Sequence, residues 1–204
     1  MSEMSRAPAD FSKMSLASIV RSMSPQQQRE FIFRTGLVDT DKINKKTLKE
    51  IEEDVNLGFL EFLDPAEKAV LRYSWRFWAR PDQIVDLPEG KTTFLALAGR
   101  GWGKTKCGAE WVRSLVESRG AIRIGLIGPT ASDTRDVMVR GDSGILACSP
   151  PWLKAEYSPA NRRVTWANGA IAALYSAEEA ERLRGPQHHA LWCDELCAWK
   201  NAED

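Results

Sequence analysis

Apolar residues recur at three- and four-residue spacing through four stretches of the first ninety residues: FSKMSLASIVRSM (11–23), QQQREFIFRTG (26–36), KTLKEIEEDVNLGFLEFL (46–63) and PAEKAVLRYSWRFWARP (65–81). That spacing puts the apolar side chains on one face of a helix and predicts a helical N-terminal region. Asp64 followed by Pro65 is a start signal for the last of these helices, an N-cap side chain and a residue suited to the first turn. The charge cluster at 42–54 reads as a solvated helix face. Past residue 90 the pattern changes to short β-rich runs alternating with helical ones. TTFLALA (92–98) predicts a buried strand, and KTKCGAEWVRSLVES (104–118) predicts a helix with Gly108, Trp111, Val112, Leu115 and Val116 on one face, ended by Arg119-Gly120. AIRIGLIG (121–128) predicts a second strand, followed by a helix starting near Ser132 or Asp133. WLKAEY, RRVTWANG, AIAALYS and the final HALWC read as further strands, with Asn168-Gly169 as a hairpin turn.

Strands alternating with helices imply an α/β domain, a mainly parallel sheet flanked by helices with one antiparallel hairpin added. Residues 1–65 are thus expected to form a helical region and residues 66–204 the α/β domain. The 204 residues suffice for a sizeable core, and 43% hydrophobic with 27% charged residues is an ordinary soluble balance. Twenty-eight basic residues offset twenty-eight acidic ones, which argues against a chain that coats nucleic acid by bulk charge. No apolar run reaches the length of a membrane span, and the polar start is no secretory signal. The four cysteines, 107, 148, 193 and 197, lack paired metal-ligand spacing and fit a reduced chain.

Chemistry enters at the junction of the first strand and the first helix of this domain. Ala98, Gly99, Arg100, Gly101, Trp102, Gly103, Lys104 and Thr105 match a phosphate-binding loop, with Ala98 standing where the first glycine of the full pattern would be. Glycines let backbone N–H groups turn inward around a polyphosphate, and the helix N-terminus adds partial positive charge. Lys104 would reach the β- and γ-phosphates and the Thr105 hydroxyl would coordinate Mg²⁺. Later in the chain, ALWC runs into Asp194 and Glu195. Asp194 at a strand tip would hold Mg²⁺ through water, and Glu195 would deprotonate an attacking water. An apolar run ending in two acids is weak evidence alone, but in this chain order after the loop it gains weight. The pair favours hydrolysis, and with no Asn-Lys-x-Asp guanine reader the expected nucleotide is ATP. Gln83, in WRFWARPDQ, could bond adenine, or belong to a packed aromatic helix end with a polar turn. Arg182 and Arg184, before Gly185-Pro186, could contact a γ-phosphate or simply pair with Glu178, Glu179 and Glu181 on a surface helix.

Five blocks together resemble the ATPase part of the large terminase subunit of tailed bacteriophages and related gene-transfer particles: WARPDQ (78–83), LAGRGWGKTKCGAEWVR (97–113), IGLIGPTASDTRDVMVRGDSGIL (124–146), WANGAIAALYSAEEAERLRGPQ (166–187) and ALWCDELCAWK (190–200). The resemblance covers roughly residues 66 to 200 and implies a P-loop ATPase fold. It implies a motor that uses ATP and Mg²⁺ to drive double-stranded DNA through a portal protein into a preformed capsid. By it, Arg100, Lys104 and Thr105 belong to the phosphate loop, Asp194 is the metal carboxylate, Glu195 the catalytic base, and Gln83 lies on the adenine side. Arg100 and Arg184 are the leading arginines for the charge developing on the γ-phosphate. The implied partners are DNA, the portal protein, the small terminase subunit and further copies in a ring on the portal. The implied location is the host cytoplasm and, transiently, the portal vertex, with no membrane. Family members usually continue into a coupling motif and a metal-dependent nuclease domain, whereas this chain stops at Asp204; an incomplete sheet and no nuclease activity are expected. Two rival readings are a helicase-like P-loop ATPase and a truncated module that binds nucleotide or assembly partners without turnover.

Overall fold

The computed structural model describes residues 15–34 and 60–200. The chain packs as two compact units, Met1–Asp86 and Leu87–Asp204. In the first unit, helices α1 (Leu16–Arg21), α2 (Pro25–Arg34), α3 (Pro65–Arg72) and α4 (Trp75–Trp78), with Leu60 and Leu63 of the turn before α3, supply a small core that also holds Ala17, Val20, Ile32, Leu71 and Phe77. The expected start signal at Asp64 is present as a reciprocal cap. Asp64 Oδ1 accepts the N–H of Glu67 at 2.8 Å, and Glu67 Oε2 accepts that of Asp64 at 2.9 Å. The helix expected over 65–81 breaks at Ser74, where α4 begins anew. Residues 66–86, grouped by sequence with the α/β domain, therefore pack in part with the N-terminal helices. The helix expected over 46–63 lies, up to residue 59, outside the described residues.

The second unit is α/β. Its long helix α5 (Lys104–Arg119) is followed by β1 (Arg123–Gly128), a short α-turn continuing into a π-helical turn (Ala131–Asp133, Thr134–Val139), and α6 (Ile145–Cys148). Then come β2 (Ala155–Ser158), β3 (Arg163–Trp166), β4 (Ile171–Ser176) and β5 (Ala190–Cys193). The sheet order is β2-β3-β4-β1-β5. β1 runs parallel to β4 and β5, while β2 with β3 and β3 with β4 are antiparallel, the latter through the Asn168-Gly169 turn. The sheet is therefore mixed, not mainly parallel, because two consecutive tight connections extend it on one side. Helices flank it: Ile124, Leu126, Val164, Trp166, Ala172 and Trp192 project from alternate strand positions onto Ala109, Val112 and Val116 of α5 and onto Met138, Val139 and Ile145.

One further expectation about this unit is corrected. TTFLALA (92–98) is not a strand: the segment runs without sheet pairing, and Phe94, Leu95 and Leu97 are 41%, 67% and 81% exposed. Apolar alternation specifies a segment able to bury itself, but not the edge it would pair with. On α5, the buried set includes Glu110 and Arg113 as well as Val112 and Val116. The two charged residues survive burial by pairing. Arg113 Nε and Nη2 each reach Glu110 Oε2 at 2.7 Å, and Lys106 Nζ reaches Glu110 Oε1 at 3.0 Å and Cys148 Sγ at 3.2 Å. Burial pushes the Cys148 thiol up to about 11, so it is a neutral packing group and not a nucleophile.

α5 meets the sheet at Gly108. A Cβ there would land on the Trp192 indole, which is itself 7% exposed, so only glycine lets helix and strand approach this closely. Overpacking costs about 1–3 kcal/mol, partly offset by the about 1 kcal/mol that Ala gains over Gly inside a helix. Gly108→Ala is expected to lower the melting temperature, at roughly 2–4 °C per kcal/mol lost. Adding Trp192→Leu, which restores room, should recover part of the loss in the same melt.

Candidate functional site

Two segments converge beside that contact. The first is the loop entering α5. Gly101 and Gly103 have φ of +80° and +96°, the left-handed region that glycine adopts without strain. Gly103 is the N-cap of α5, and its carbonyl accepts the Cys107 N–H at 2.9 Å. Trp102 N donates to Gly99 O at 3.4 Å. This is a glycine loop delivering the chain into the N-terminus of a sixteen-residue helix, a combination that presents inward-facing N–H groups and partial positive charge to an anion.

The second segment is the end of β5. The Asp194 N–H continues the sheet by donating to Ile127 O at 2.9 Å, which places the acid at the carboxyl end of two neighbouring parallel strands. In open α/β sheets that end is where ligands bind. The Thr105 hydroxyl lies close enough to the Asp194 carboxylate to favour its charged form. Lys104 Nζ donates to the carbonyls of Ala98 at 3.1 Å and Gly99 at 3.4 Å and lies 4.0 Å from Glu195 Oε1. Glu195 is 61% exposed, so this last pair contributes little to stability and is open to a ligand. The structure thus brings Ala98, Gly99, Lys104, Thr105, Asp194 and Glu195 together.

The remaining predicted site residues stand otherwise. Arg100 is exposed on the loop. Arg184 pairs with Glu181 at 3.1 Å and Arg182 with Glu179 at 2.9 Å, both on the surface. Their stretch, expected as a surface helix, is a kinked 3₁₀ element, Ala177–Leu183. Gln83 is buried in the first unit, where its Oε1 accepts the Arg80 N–H at 3.0 Å across a short 3₁₀ turn.

Asp194 is 8% exposed. Burial first, and the neighbouring Glu195 charge second, push its carboxyl above the usual range; the Glu195 backbone N–H, Lys104 and Thr105 pull it partly back. A buried carboxylate held against desolvation beside a hydroxyl is a donor pair suited to a hard divalent cation with oxygen ligands. Among the described residues, no three His, Cys, Asp or Glu side chains gather as a metal cluster, so a cation here needs oxygens from a ligand as well.

Two contributors escaped the sequence reading. Trp199 donates its indole N–H to the Asp194 carbonyl at 3.0 Å. Thr134, fully buried in the π-helical turn, joins the ends of β1 and β4: its hydroxyl donates to Tyr175 O at 2.8 Å and accepts the Gly128 N–H at 3.0 Å. Nothing in the local pattern marks either of them.

The buried acid yields a prediction whose sign can be worked out. A carboxyl raised in the folded state disfavours the folded chain once pH exceeds its ordinary value of about 4, and this cost grows until pH passes the raised value. Asp194→Asn is therefore expected to melt higher than the parent chain near pH 7 without divalent cation, and the difference should shrink as pH falls towards about 4. Thermal melts across that range check it.

Comparison with known proteins adds one finding. The family model described as "Terminase large subunit, T4likevirus-type, N-terminal" matches residues 95–204, the span from just before the glycine loop to the end of the chain. No curated protein and no solved structure matches.

Proposed function

This chain belongs to the T4-like-virus-type family of terminase large subunits, a membership that supports a role in DNA packaging, and from it we propose that the second unit binds ATP with Mg²⁺ and hydrolyses it to move DNA. The observation that carries the reading is the convergence of the loop lysine and threonine with the Asp194–Glu195 pair at the carboxyl ends of β1 and β5.

The chemistry follows from the side chains. The loop N–H groups and the N-terminus of α5 face the phosphates, and Lys104 exchanges its contacts with the Ala98 and Gly99 carbonyls for phosphate oxygens. Thr105 and Asp194 are the residues that would hold Mg²⁺, whose charge when bound offsets that of the phosphate oxygens. Its arrival would also relieve the cost of burying Asp194. Glu195, exposed and 4.0 Å from Lys104, accepts a proton from a water that attacks the γ-phosphorus while the bond to the β–γ bridging oxygen breaks. In this reading an arginine offsets charge on the γ-phosphate, Arg100 within the chain or Arg184 from a neighbour in a ring, where it would exchange its surface pairing with Glu181 for that contact. The assignment of Gln83 to adenine rests on the family resemblance alone. The portal protein, the small terminase subunit and double-stranded DNA are the partners the reading calls for, in the host cytoplasm and at the portal vertex. No helix among the described residues is long and apolar enough to cross a membrane.

Two substitutions test this. Lys104→Ala removes the charge that meets the phosphates while leaving α5 its helical residue, and titration calorimetry should show ATP affinity reduced at least about tenfold, the worth of one charge-assisted bond. Unchanged affinity would sink the assignment. Glu195→Gln keeps shape and removes the base: ATP should bind near parental affinity while turnover falls by about 10²-fold or more. Hydrolysis at the parental rate would place the base elsewhere.

A further inference from the structure

Glu195 has φ +48° and ψ +48°, the left-handed conformation. Arg162 is the only other non-glycine residue with positive φ among the described residues. A side chain with a Cβ in that region costs about 1–2 kcal/mol and persists only when its surroundings over-determine it. Three hydrogen bonds do so here. Ala198 N donates to Glu195 O at 2.8 Å and Trp199 N to Leu196 O at 3.1 Å, closing the 3₁₀ turn Leu196–Ala198. The half-buried Trp199 indole donates to Asp194 O at 3.0 Å.

The third bond is the informative one, because it acts on the peptide unit between the two acids. Upstream, Asp194 N is tied to Ile127 O in the sheet. The C=O of the Asp194–Glu195 peptide accepts from Trp199. Rotating that peptide would break this bond. Its plane sets where the Glu195 Cα–Cβ bond points, and with it the carboxylate that faces Lys104.

We propose that Trp199 is a positioning residue for the hydrolytic step. Its indole N–H locks the Asp194–Glu195 peptide so that Glu195 is presented as base. This rests on the ATPase reading above for its consequence in turnover, though not for the lock itself.

The test uses the full chain and Trp199→Phe, which keeps an aromatic ring in place and removes the donor. Amide exchange is followed at Glu195–Trp199 and, as a control on the fold, at Ile124–Ile127 of β1. ATP affinity is measured by calorimetry and turnover at saturating ATP. The lock predicts faster exchange confined to Glu195–Trp199, affinity within about twofold of the parent and turnover reduced about tenfold, as expected for one hydrogen bond felt at the reacting geometry. Glu195→Gln combined with Trp199→Phe should be no slower than Glu195→Gln alone, since Trp199 acts through the base. Unchanged exchange at Glu195–Trp199 overturns the lock, whether or not the chain hydrolyses ATP. Loss of protection in β1 as well makes Trp199 a general packing residue and overturns the positioning role. Faster local exchange with parental turnover overturns the link to catalysis. A parent chain that neither binds nor turns over ATP defeats the ATPase reading instead, and the exchange result still decides the lock.

Discussion

The functional unit depends on how closely α5 can approach β5. Gly108 presents no side chain to the Trp192 indole, so the helix carrying Lys104 and Thr105 sits directly on the strand that ends in Asp194 and Glu195. Side chains are short compared with the distances between elements. A helix displaced by one methyl group would carry Thr105 away from Asp194 and Lys104 away from Glu195, and close contacts do not survive such a shift. The Lys106–Glu110–Arg113 pairing on the same helix, with Lys106 reaching Cys148 of α6, braces α5 from the other side. Its worth lies in direction more than in stability, because buried ion pairs recover little beyond the cost of their own desolvation.

Strain collects at one corner of the site. Asp194 is buried against its preference for charge, and Glu195 adopts a backbone that its side chain disfavours. Both costs fall on adjacent residues at the end of a strand whose alignment the sheet already guarantees through Ile127. A folded core is what lets such a corner exist: the interactions of β1 with β4 and β5 hold it. The glycine loop opposite behaves differently. Its positive φ values sit on glycines and cost little, so it is free to close around a ligand without working against itself.

Membership of the terminase large subunits agrees with this division of labour, since the matched span contains both the loop and the acid corner. The first unit, with its separate small core and its capped helix at Asp64, stands wholly outside that span.

What the sequence by itself determined is whatever depends on near neighbours along the chain. Helix α5 and its glycine stop, the Asp64 cap, the Asn168-Gly169 hairpin and strands β1 to β5 follow from spacing and turn chemistry, which are local. The residues Lys104, Thr105, Asp194 and Glu195 were legible because a glycine loop between strand-like and helical patterns, followed by an acid-tipped strand, is a pattern of residue types in order. Tertiary structure decided everything that depends on partners distant in sequence. The mixed sheet order is one case, since pattern names a strand but not its neighbour. The exposure of 92–98 is another, for an apolar segment is buried only when an edge is within reach. Glu110 and Arg113 are inside because each neutralises the other. Trp199 has no local pattern at all: its role exists only once the chain turns back and brings its indole N–H to the carbonyl of the residue that the sheet has already fixed in place.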